Sequence, residues 1–375
     1  MLNYQDSLAE LNTASPLSEK LKSIHVTMGP RFDFINRIAV ALYDAKTDVL
    51  KTFIHSSGGD QPLTLYQFPL SEARSLTEIV KSGTPRVIND LTIFNGCTHE
   101  HTQKIAGQGY GSSYTLPMFM NGNFFGFVFF NSYRKNALNE EVLHFLDLIG
   151  HLVSLVVMNE VAAVKTLIST VQAARDVAHF RDKETGAHLD RMAHFSRVVA
   201  KELAPKFRYD DEFVEHVFLF APLHDIGKIG IPDSIMLKAG DLTASEFEMM
   251  KTHPLKGRQI IDAMLKDFAL DTFEHIDILR NIAEFHHEAM DGSGYPYGLI
   301  DKQIPIEARI VTVADVFDAL TSRRTYKEAW SNDASFQQMK ALAGTKLDRD
   351  CVEALIKNRA EVEAIQQQFK EELYA

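Results

Sequence analysis

Two different spacings of apolar residues divide the sequence. In residues 38–55 and 113–130, apolar runs are separated by the short polar segments DAKTD at 44–48 and NGN at 121–123. Asn-Gly between two apolar runs is a strong signal for a β-hairpin, and a short gap with Asp and Thr favours the same structure. The first 150 residues, which mix strand and helix signals, therefore predict an α+β domain that contains two hairpins.

From Asn139 the spacing of apolar residues becomes helical and continues to about Val171. Apolar residues recur every three or four positions, and no proline interrupts them. This pattern predicts one long helix at about 140–180. The helix either carries the chain from one domain into the next or also forms the contact of a homodimer that passes signals between the halves.

After about residue 172 the strand signals nearly disappear, and short helical segments alternate with polar loops. We therefore predict three parts: a first domain at 1–150, a connecting helix at 140–180 and an all-α domain at 165–375. A chain of 375 residues is long enough for this division.

Composition narrows the partners and the compartment. The formal net charge of −11 disfavours binding to a nucleic-acid polymer, because the phosphate backbone repels an acidic surface. Only Cys97 and Cys351 are present, which excludes a disulfide framework and fits a reducing cytoplasm. We find no secretory signal and no apolar stretch near the roughly 18 residues of a membrane helix. We therefore expect a cytoplasmic protein that does not enter the membrane.

The second half concentrates residues that bind metal ions. The set consists of Glu184, His188, His224, Asp225, His253, His286, His287 and Asp315. Imidazole and carboxylate groups suit first-row divalent ions, and eight ligands exceed the needs of one ion. The set therefore predicts two or three metals, an arrangement that suits phosphodiester cleavage. Four further histidines are expected at the surface or behind the ligands, namely His179, His194, His216 and His275.

Two other segments near these residues could contact a substrate. The first, Asp291-Gly-Ser-Gly-Tyr-Pro296, is either a simple turn or a loop that brings Tyr295 to the site. The second contains Arg323, Arg324 and Lys327, a basic cluster in an acidic protein. It is either a surface patch or a site for phosphate, which Arg binds in a bidentate manner.

These motifs together resemble the HD-GYP domain, a branch of the HD phosphohydrolases. The resemblance rests on ETGAH, LHDIGKIGIPD, KTHPLKG, FHHEAMDGSGYP and IPIEARIVTVADVFDALTSRRTYK, which follow the family order over about residues 165–365. It implies an all-helical HD core. The implied reaction is metal-dependent hydrolysis of cyclic di-GMP to pGpG, and in some members onward to GMP. Some relatives cleave cyclic GMP-AMP instead, and a cyclic-dinucleotide receptor with little turnover is a further alternative.

The resemblance also implies roles for individual residues. All eight ligands match the family's metal ligands, with iron or manganese as the usual metal and Glu184 associated with a third ion. Asp225 is implied to bridge two metals, and Lys228 to assist the leaving oxygen. Arg324 and Lys327 match positions that hold substrate phosphates. Tyr295 is the loop tyrosine implied to position the guanine or the loop itself.

The first half resembles a GAF domain through SGTPRVINDL at 82–91, residues 111–130 and the amphipathic segment from Asn139. This resemblance implies an α+β fold with a central antiparallel sheet and flanking helices. It also implies a small ligand, which no signature identifies, together with dimer formation and regulation of the second half. Cys97, with His99 and His101 nearby, forms either a plain loop or a redox or metal sensor.

Overall fold

The computed structural model describes most of the chain and divides it into two compact units, Met1–Ala163 and Val164–Ala375. The residues outside the description are 1–5, 59–62, 95–102, 106, 178–185, 269–274, 323–328 and 371–375, together with the side chains of 171–177. Several predicted residues lie there: Cys97, His99, His101, His179, Glu184, Arg323, Arg324 and Lys327.

The first unit is built on a six-stranded sheet in the order β3-β2-β1-β6-β5-β4, with every neighbouring pair antiparallel. The strands are β1 Arg37–Asp44, β2 Val49–Ser57, β3 Gln67–Pro69, β4 Arg86–Ile88, β5 Ser112–Met120 and β6 Asn123–Ser132. Strand β1 pairs with β2, and β5 pairs with β6. Both predicted hairpins are therefore confirmed, and so is the predicted α+β class.

Helices and apolar side chains cover both faces of this sheet. The helices are α1 Leu17–Met28 and α2 Arg74–Ser82, with 3-10 turns at Ala9–Asn12, Leu70–Glu72 and Leu91–Phe94. Successive residues of a strand point to opposite faces. Accordingly, Val40 belongs to the core that contains α1, and Ala41 belongs to the core that contains α2.

The predicted long helix is also confirmed. It forms α3, Glu140–Val177, and the boundary between the two units falls within it. By length and composition alone, Glu140–Thr170 could cross a membrane, so the expectation that no stretch approaches that length was wrong. The core helix of a soluble domain has the same composition, and Leu146 and Val153 are buried in the apolar core of the first unit.

Within the described residues, the second unit contains helices and only isolated β-bridges, which confirms the predicted all-α class. Its helices are α4 Gly186–Phe207, α5 Asp211–Phe220, α6 Asp233–Met236, α7 Ala244–Met250, α8 His253–Asp267, α9 Ile276–Phe285, α10 Ile306–Thr321, α11 Asn332–Leu342, α12 Arg349–Lys357 and α13 Arg359–Gln368. Short 3-10 turns lie at Ala221–Leu223, Ile226–Gly230 and Asp301–Gln303. Phe195, Phe220 and Phe317 are fully buried in this unit.

Candidate metal centre

Seven of the eight predicted ligands are described, and they come from the ends or first turns of several helices and from the middle of α10. His188 lies in the first turn of α4, and His253 is the first residue of α8. His286 and His287 follow the last residue of α9, whereas Asp315 lies within α10. The remaining two are His224 and Asp225, between two 3-10 turns.

These seven side chains form two groups of potential ligands. The first group contains Asp225, His253, His286 and His287, and the second contains His188, His224 and Asp315. Within each group the ligand atoms all lie within 4.8 Å of one another. At these spacings each group could hold one metal ion.

Asp225 faces both groups. Its Oδ1 lies 3.1 Å from Nε2 of His253 and 3.5 Å from Nε2 of His286, both of the first group. Its Oδ2 lies 3.2 Å from Nε2 of His224, which belongs to the second group. One carboxylate is therefore positioned to bridge two ions.

The hydrogen bonds of the histidines determine which ring nitrogen carries the proton. The other nitrogen then faces Asp225 with a lone pair. Nδ1 of His224 donates to the carbonyl of Ala221 at 2.9 Å. Nδ1 of His253 donates to the carbonyl of Met250 at 2.8 Å. Since a carbonyl only accepts, the proton of each neutral ring is on Nδ1, and Nε2 carries a lone pair.

His286 follows the same arrangement, with Nδ1 donating to the carbonyl of Ile282 at 3.0 Å. Lone pairs on three Nε2 atoms thus face the oxygens of Asp225, a repulsive arrangement that a cation between them would relieve. The buried Oδ1 of Asp225 accordingly accepts no hydrogen bond of good geometry among the described residues. Imidazole with carboxylate is a donor set that fits a first-row divalent ion.

The charges around the carboxylate support this arrangement. Burial alone would raise the pKa of Asp225, but nearby positive charge, above all the ammonium group of Lys228, holds that pKa well below its ordinary value. Burial lowers the pKa of His286 and of His287. An ionised carboxylate among neutral imidazoles is the protonation state that metal binding requires.

A buried ion pair behind the second group orients His188. The carboxylate of Asp318 accepts a hydrogen bond from Nδ1 of His188 at 2.7 Å and another from Nη2 of Arg191 at 2.9 Å. Burial opposes ionisation of Asp318, yet these two donors lower its pKa to about 2. A carboxylate on the far nitrogen of a ligand histidine fixes the tautomer and raises its basicity. Sequence analysis did not identify Asp318 or Arg191.

Two backbone contacts hold the first group together. Oγ1 of Thr312 donates to the carbonyl of His286 at 2.7 Å, which ties α10 to the histidine pair. Gly227 brings the turn after Asp225 against the start of α8, where a Cβ atom would lie 1.8 Å from the carbonyl oxygen of His253. Only glycine permits this approach.

Lys228 and Tyr295 both lie at the centre. Nζ of Lys228 is 2.7 Å from Oδ2 of Asp225. The ring of Tyr295 stacks on His287 with centroids 4.7 Å apart, and burial raises the pKa of its hydroxyl. The loop that carries Tyr295 is fixed by buried Glu288, whose carboxylate accepts from the backbone N–H of Tyr297 at 2.7 Å and of Leu299 at 2.8 Å.

The expectation for the remaining histidines was wrong in part, because His194 and His216 are buried and not at the surface. His194 packs against Phe218 and Phe369. His216 lies beside His275, with ring centroids 4.7 Å apart. Neither contact involves a predicted ligand, so these are histidines of the helical core.

The region that carries this centre is similar to known proteins. Residues 172–351 match the family model described as HD domain. The chain is 46% identical over 190 residues to the cyclic di-GMP phosphodiesterase response regulator RpfG of Xanthomonas campestris, covering 51% of this chain and 47% of that protein. It is 36% identical over 185 residues to 3′3′-cGAMP-specific phosphodiesterase 2 of Vibrio cholerae, covering 49% of this chain and 33% of that protein.

The chain thus spans half or less of the length of these relatives. Among solved structures, a phycocyanobilin-bound GAF domain from a cyanobacterial phytochrome aligns with a TM-score of 0.33 and 13% identity, covering 41% of this chain and 90% of that domain. At this identity the likeness says nothing about what the first unit binds. The residues that match the HD domain model lie in the second unit and include both groups of potential ligands.

Proposed function

We propose that this HD domain is a metal-dependent phosphodiesterase of the HD-GYP type that hydrolyses cyclic di-GMP to pGpG, and with further turnover to GMP. The observation that carries the proposal is Asp225, whose two oxygens face two separate groups of potential ligands. Paired metals that share a carboxylate suit phosphodiester cleavage, because each stabilises one of the two oxygens exchanged at phosphorus.

The proposed metal ligands are the eight predicted residues, of which seven are described. His253, His286 and His287 would hold one ion, His188, His224 and Asp315 a second, and Asp225 both. Glu184, which lies outside the described residues, would add a ligand for a third. When bound, these ions would polarise the phosphate and lower the pKa of a nearby water. Iron or manganese is the proposed metal.

The chain's own groups would hold and protonate the substrate. Lys228 keeps its ammonium group beside Oδ2 of Asp225, from which it would donate a proton to the departing 3′ oxygen. Tyr295 would support the loop and the His287 ring beneath the substrate. Arg324 and Lys327, outside the described residues, would bind the phosphates.

Two substrates are supported by the names of relatives. The protein from Xanthomonas campestris is named for cyclic di-GMP, and the less similar protein from Vibrio cholerae is named for 3′3′-cGAMP. The higher identity of the first relative favours cyclic di-GMP as the substrate of this chain. Cyclic GMP-AMP is the second candidate.

The test is product formation by the full chain, purified without oxygen and analysed for bound metal. Protein loaded separately with iron and with manganese is incubated with cyclic di-GMP or cyclic GMP-AMP, and products are separated by chromatography. We expect pGpG to accumulate with cyclic di-GMP and to disappear in the His224→Ala/Asp225→Ala double variant. A His216→Phe variant, which alters a buried histidine outside the two groups, should retain the activity.

Each alternative has a distinct outcome. Faster turnover of cyclic GMP-AMP would identify that compound as the substrate and contradict our preference. Binding of both dinucleotides without product, with either metal at full occupancy, would make the domain a receptor. Metal content that is unchanged in the double variant would show that Asp225 is not a ligand.

We further propose that residues 1–150 form a sensor domain for a small ligand, that the helix at 140–180 connects it to a catalytic domain at 165–375, and that the protein acts in the cytoplasm as a homodimer. Support for the dimer comes from α3, where Leu148 and Leu155 are each 60% exposed and seven residues apart. Apolar residues at that spacing form one stripe along a helix, as in a coiled-coil contact.

A further inference from the structure

The first unit contains a cavity of about 100 Å³ between strands of its sheet, helix α2 and the segment that leads into β5. On this scale a single water needs roughly 10–15 Å³, so the space is large enough for several waters or a small organic molecule. Its walls combine basic side chains with aromatic and aliphatic ones. The cavity lies in a different unit from the two groups of potential metal ligands.

Three basic residues line this cavity: Arg37, Lys51 and Arg86. Arg37 is only 7% exposed and Lys51 only 5%. Burial lowers the pKa of both Arg37 and Arg86 from an ordinary value of 12.5, but a guanidinium remains charged at neutral pH. The cavity therefore concentrates positive charge inside an acidic protein.

The two guanidinium groups are incompletely satisfied by the protein. Nη1 of Arg37 donates to Oδ1 of Asn131 at 3.1 Å, whereas the buried Nε atoms of Arg37 and Arg86 find no acceptor in the part of the unit that the structure describes. Among the described residues, neither arginine forms an ion pair with a carboxylate. A buried guanidinium group without an ion pair is costly, and the charge of Glu78 offsets the burial of Arg86 only in part. The arrangement therefore favours an anion from outside the protein.

The rest of the lining determines what kind of anion fits. Asn131 donates through Nδ2 to Oγ of Ser113 at 3.0 Å, which holds its Oδ1 toward Arg37. The apolar part of the cavity wall is formed by Phe68, Leu76 and Phe129. A bare inorganic ion would satisfy the guanidinium groups but leave this wall facing water, so the lining suits an anion with an apolar body.

We propose that this cavity binds a small organic anion, whose carboxylate or phosphate group contacts Arg37 and Arg86 and whose apolar body lies against Phe68 and Phe129. Guanidinium groups bind both of these anionic groups in the same bidentate manner. The proposal rests on the small-ligand role proposed for residues 1–150, and it does not depend on the phosphodiesterase activity.

The test measures binding of defined probes to the full chain by titration calorimetry. Benzoate and phenyl phosphate provide the two anionic groups on one apolar body, benzyl alcohol provides the body without charge, and inorganic phosphate provides the charge without the body. Arg37→Gln and Arg86→Gln each remove one guanidinium. Arg134→Gln is the matched control, because Arg134 lies in the same unit, is 63% exposed and pairs with Asp33.

We expect benzoate or phenyl phosphate to bind to the wild type and to the Arg134→Gln control at least tenfold more tightly than to either cavity variant. Benzyl alcohol and inorganic phosphate should bind to the wild type more weakly than benzoate and phenyl phosphate do. Tighter binding of benzoate would identify a carboxylate as the preferred anionic group of the ligand, and tighter binding of phenyl phosphate would identify a phosphate.

A second measurement keeps the proposal testable if a cavity variant folds poorly. Wild-type protein is denatured after purification, and the released small molecules are analysed by mass spectrometry in comparison with Arg37→Gln. Equal binding of benzoate and benzyl alcohol, or unchanged affinity in both cavity variants, would overturn the proposal. It would also fail if neither anion bound and no organic anion were released.

Discussion

Gly227 and His253 approach so closely that a single methyl group would not fit between them. A Cβ atom on Gly227 would lie 1.8 Å from the carbonyl oxygen of His253 and 2.4 Å from the backbone nitrogen of Gly257. Both neighbours are backbone atoms of α8, so rotation of a side chain cannot relieve the contact. This approach places Oδ1 of Asp225 3.1 Å from Nε2 of His253.

We therefore predict that Gly227→Ala separates Asp225 from His253. Overpacking of this kind costs about 1–3 kcal/mol of stability, and displacement of ligands by a neighbouring change typically weakens metal affinity about 10- to 100-fold. Urea unfolding and competition with a chelator measure the two effects. Gly230→Ala is the matched control, since its Cβ would meet only the flexible end of Lys256 at 2.8 Å. Equal metal affinity in the two variants would contradict the prediction.

The ion pair behind His188 gives a second prediction. Asp318→Asn removes the charge that pairs with buried Arg191, and it replaces one of the two oxygens that accept from Arg191 and His188 with an NH2 donor. Breaking a buried pair from one side costs about 3–5 kcal/mol, and loss of an orienting carboxylate lowers metal affinity about 10- to 100-fold. We expect both losses in this variant.

Asp348→Asn separates these two effects. Asp348 is also buried and accepts from Nη1 of Arg309 at 2.7 Å, but it caps α12 and contacts no predicted ligand. Its variant should lose stability and keep its metal affinity in the chelator assay. If Asp318→Asn and Asp348→Asn change metal affinity to the same extent, Asp318 acts on stability alone.

A pH effect is expected from His216, away from the metal centre. Burial and, to a smaller extent, nearby His275 lower the pKa of this ring from 6.5 to about 4, against the opposing effects of the Glu212 carbonyl, Glu215 and Asp210. The unfolded chain therefore binds a proton at a higher pH than the folded chain does. Stability falls as the pH decreases from 6.5 to 4, by on the order of 3 kcal/mol in total.

His216→Phe should remove this contribution while keeping an aromatic ring beside Phe220. Urea unfolding at several pH values between 7 and 4 measures the slope for both proteins with metal removed. We expect a shallower pH dependence in the variant, whatever its stability at pH 7. Parallel curves would show that His216 does not titrate in this range.

The sequence was most informative where apolar spacing or motif order determined the structure. The long helix followed from the spacing of apolar residues, and both hairpins followed from apolar runs separated by short polar turn segments. The seven described ligands were predicted from residue type and motif order, and they do converge. Their division into two groups could not be predicted from the sequence, since it depends on how α4, α8, α9 and α10 pack.

Asp318 and Arg191 were missed although the sequence carries a signal for them. Asp318 lies three residues after Asp315 on a largely apolar helix, and Arg191 lies three residues after His188. Residues three apart share a helix face, so each faces the side of its helix that carries a ligand. The buried positions of His194 and His216 carry no such pattern. They depend on aromatic neighbours far away in the sequence, such as Phe369 and His275.

The ring of Tyr295, rather than its hydroxyl group, is expected to support metal binding. Because the ring stacks on His287 at 4.7 Å, Tyr295→Phe should keep the metal affinity of the wild type, whereas Tyr295→Ala should weaken it. Chelator competition measures both variants. A loss of metal affinity in Tyr295→Phe as large as that in Tyr295→Ala would show that the hydroxyl is what matters.

The exposed stripe on α3 predicts how the homodimer forms. Leu148 and Leu155 are each 60% exposed, and a shared apolar contact at heptad spacing would bury both. Leu148→Glu/Leu155→Glu places two carboxylates in that contact, and repulsion between the copies should yield monomers in sedimentation velocity experiments. Val26→Glu is the control, because Val26 is 68% exposed on α1 of the same unit and lies outside the stripe. A dimer that survives the double substitution with unchanged affinity would locate the contact elsewhere on the protein.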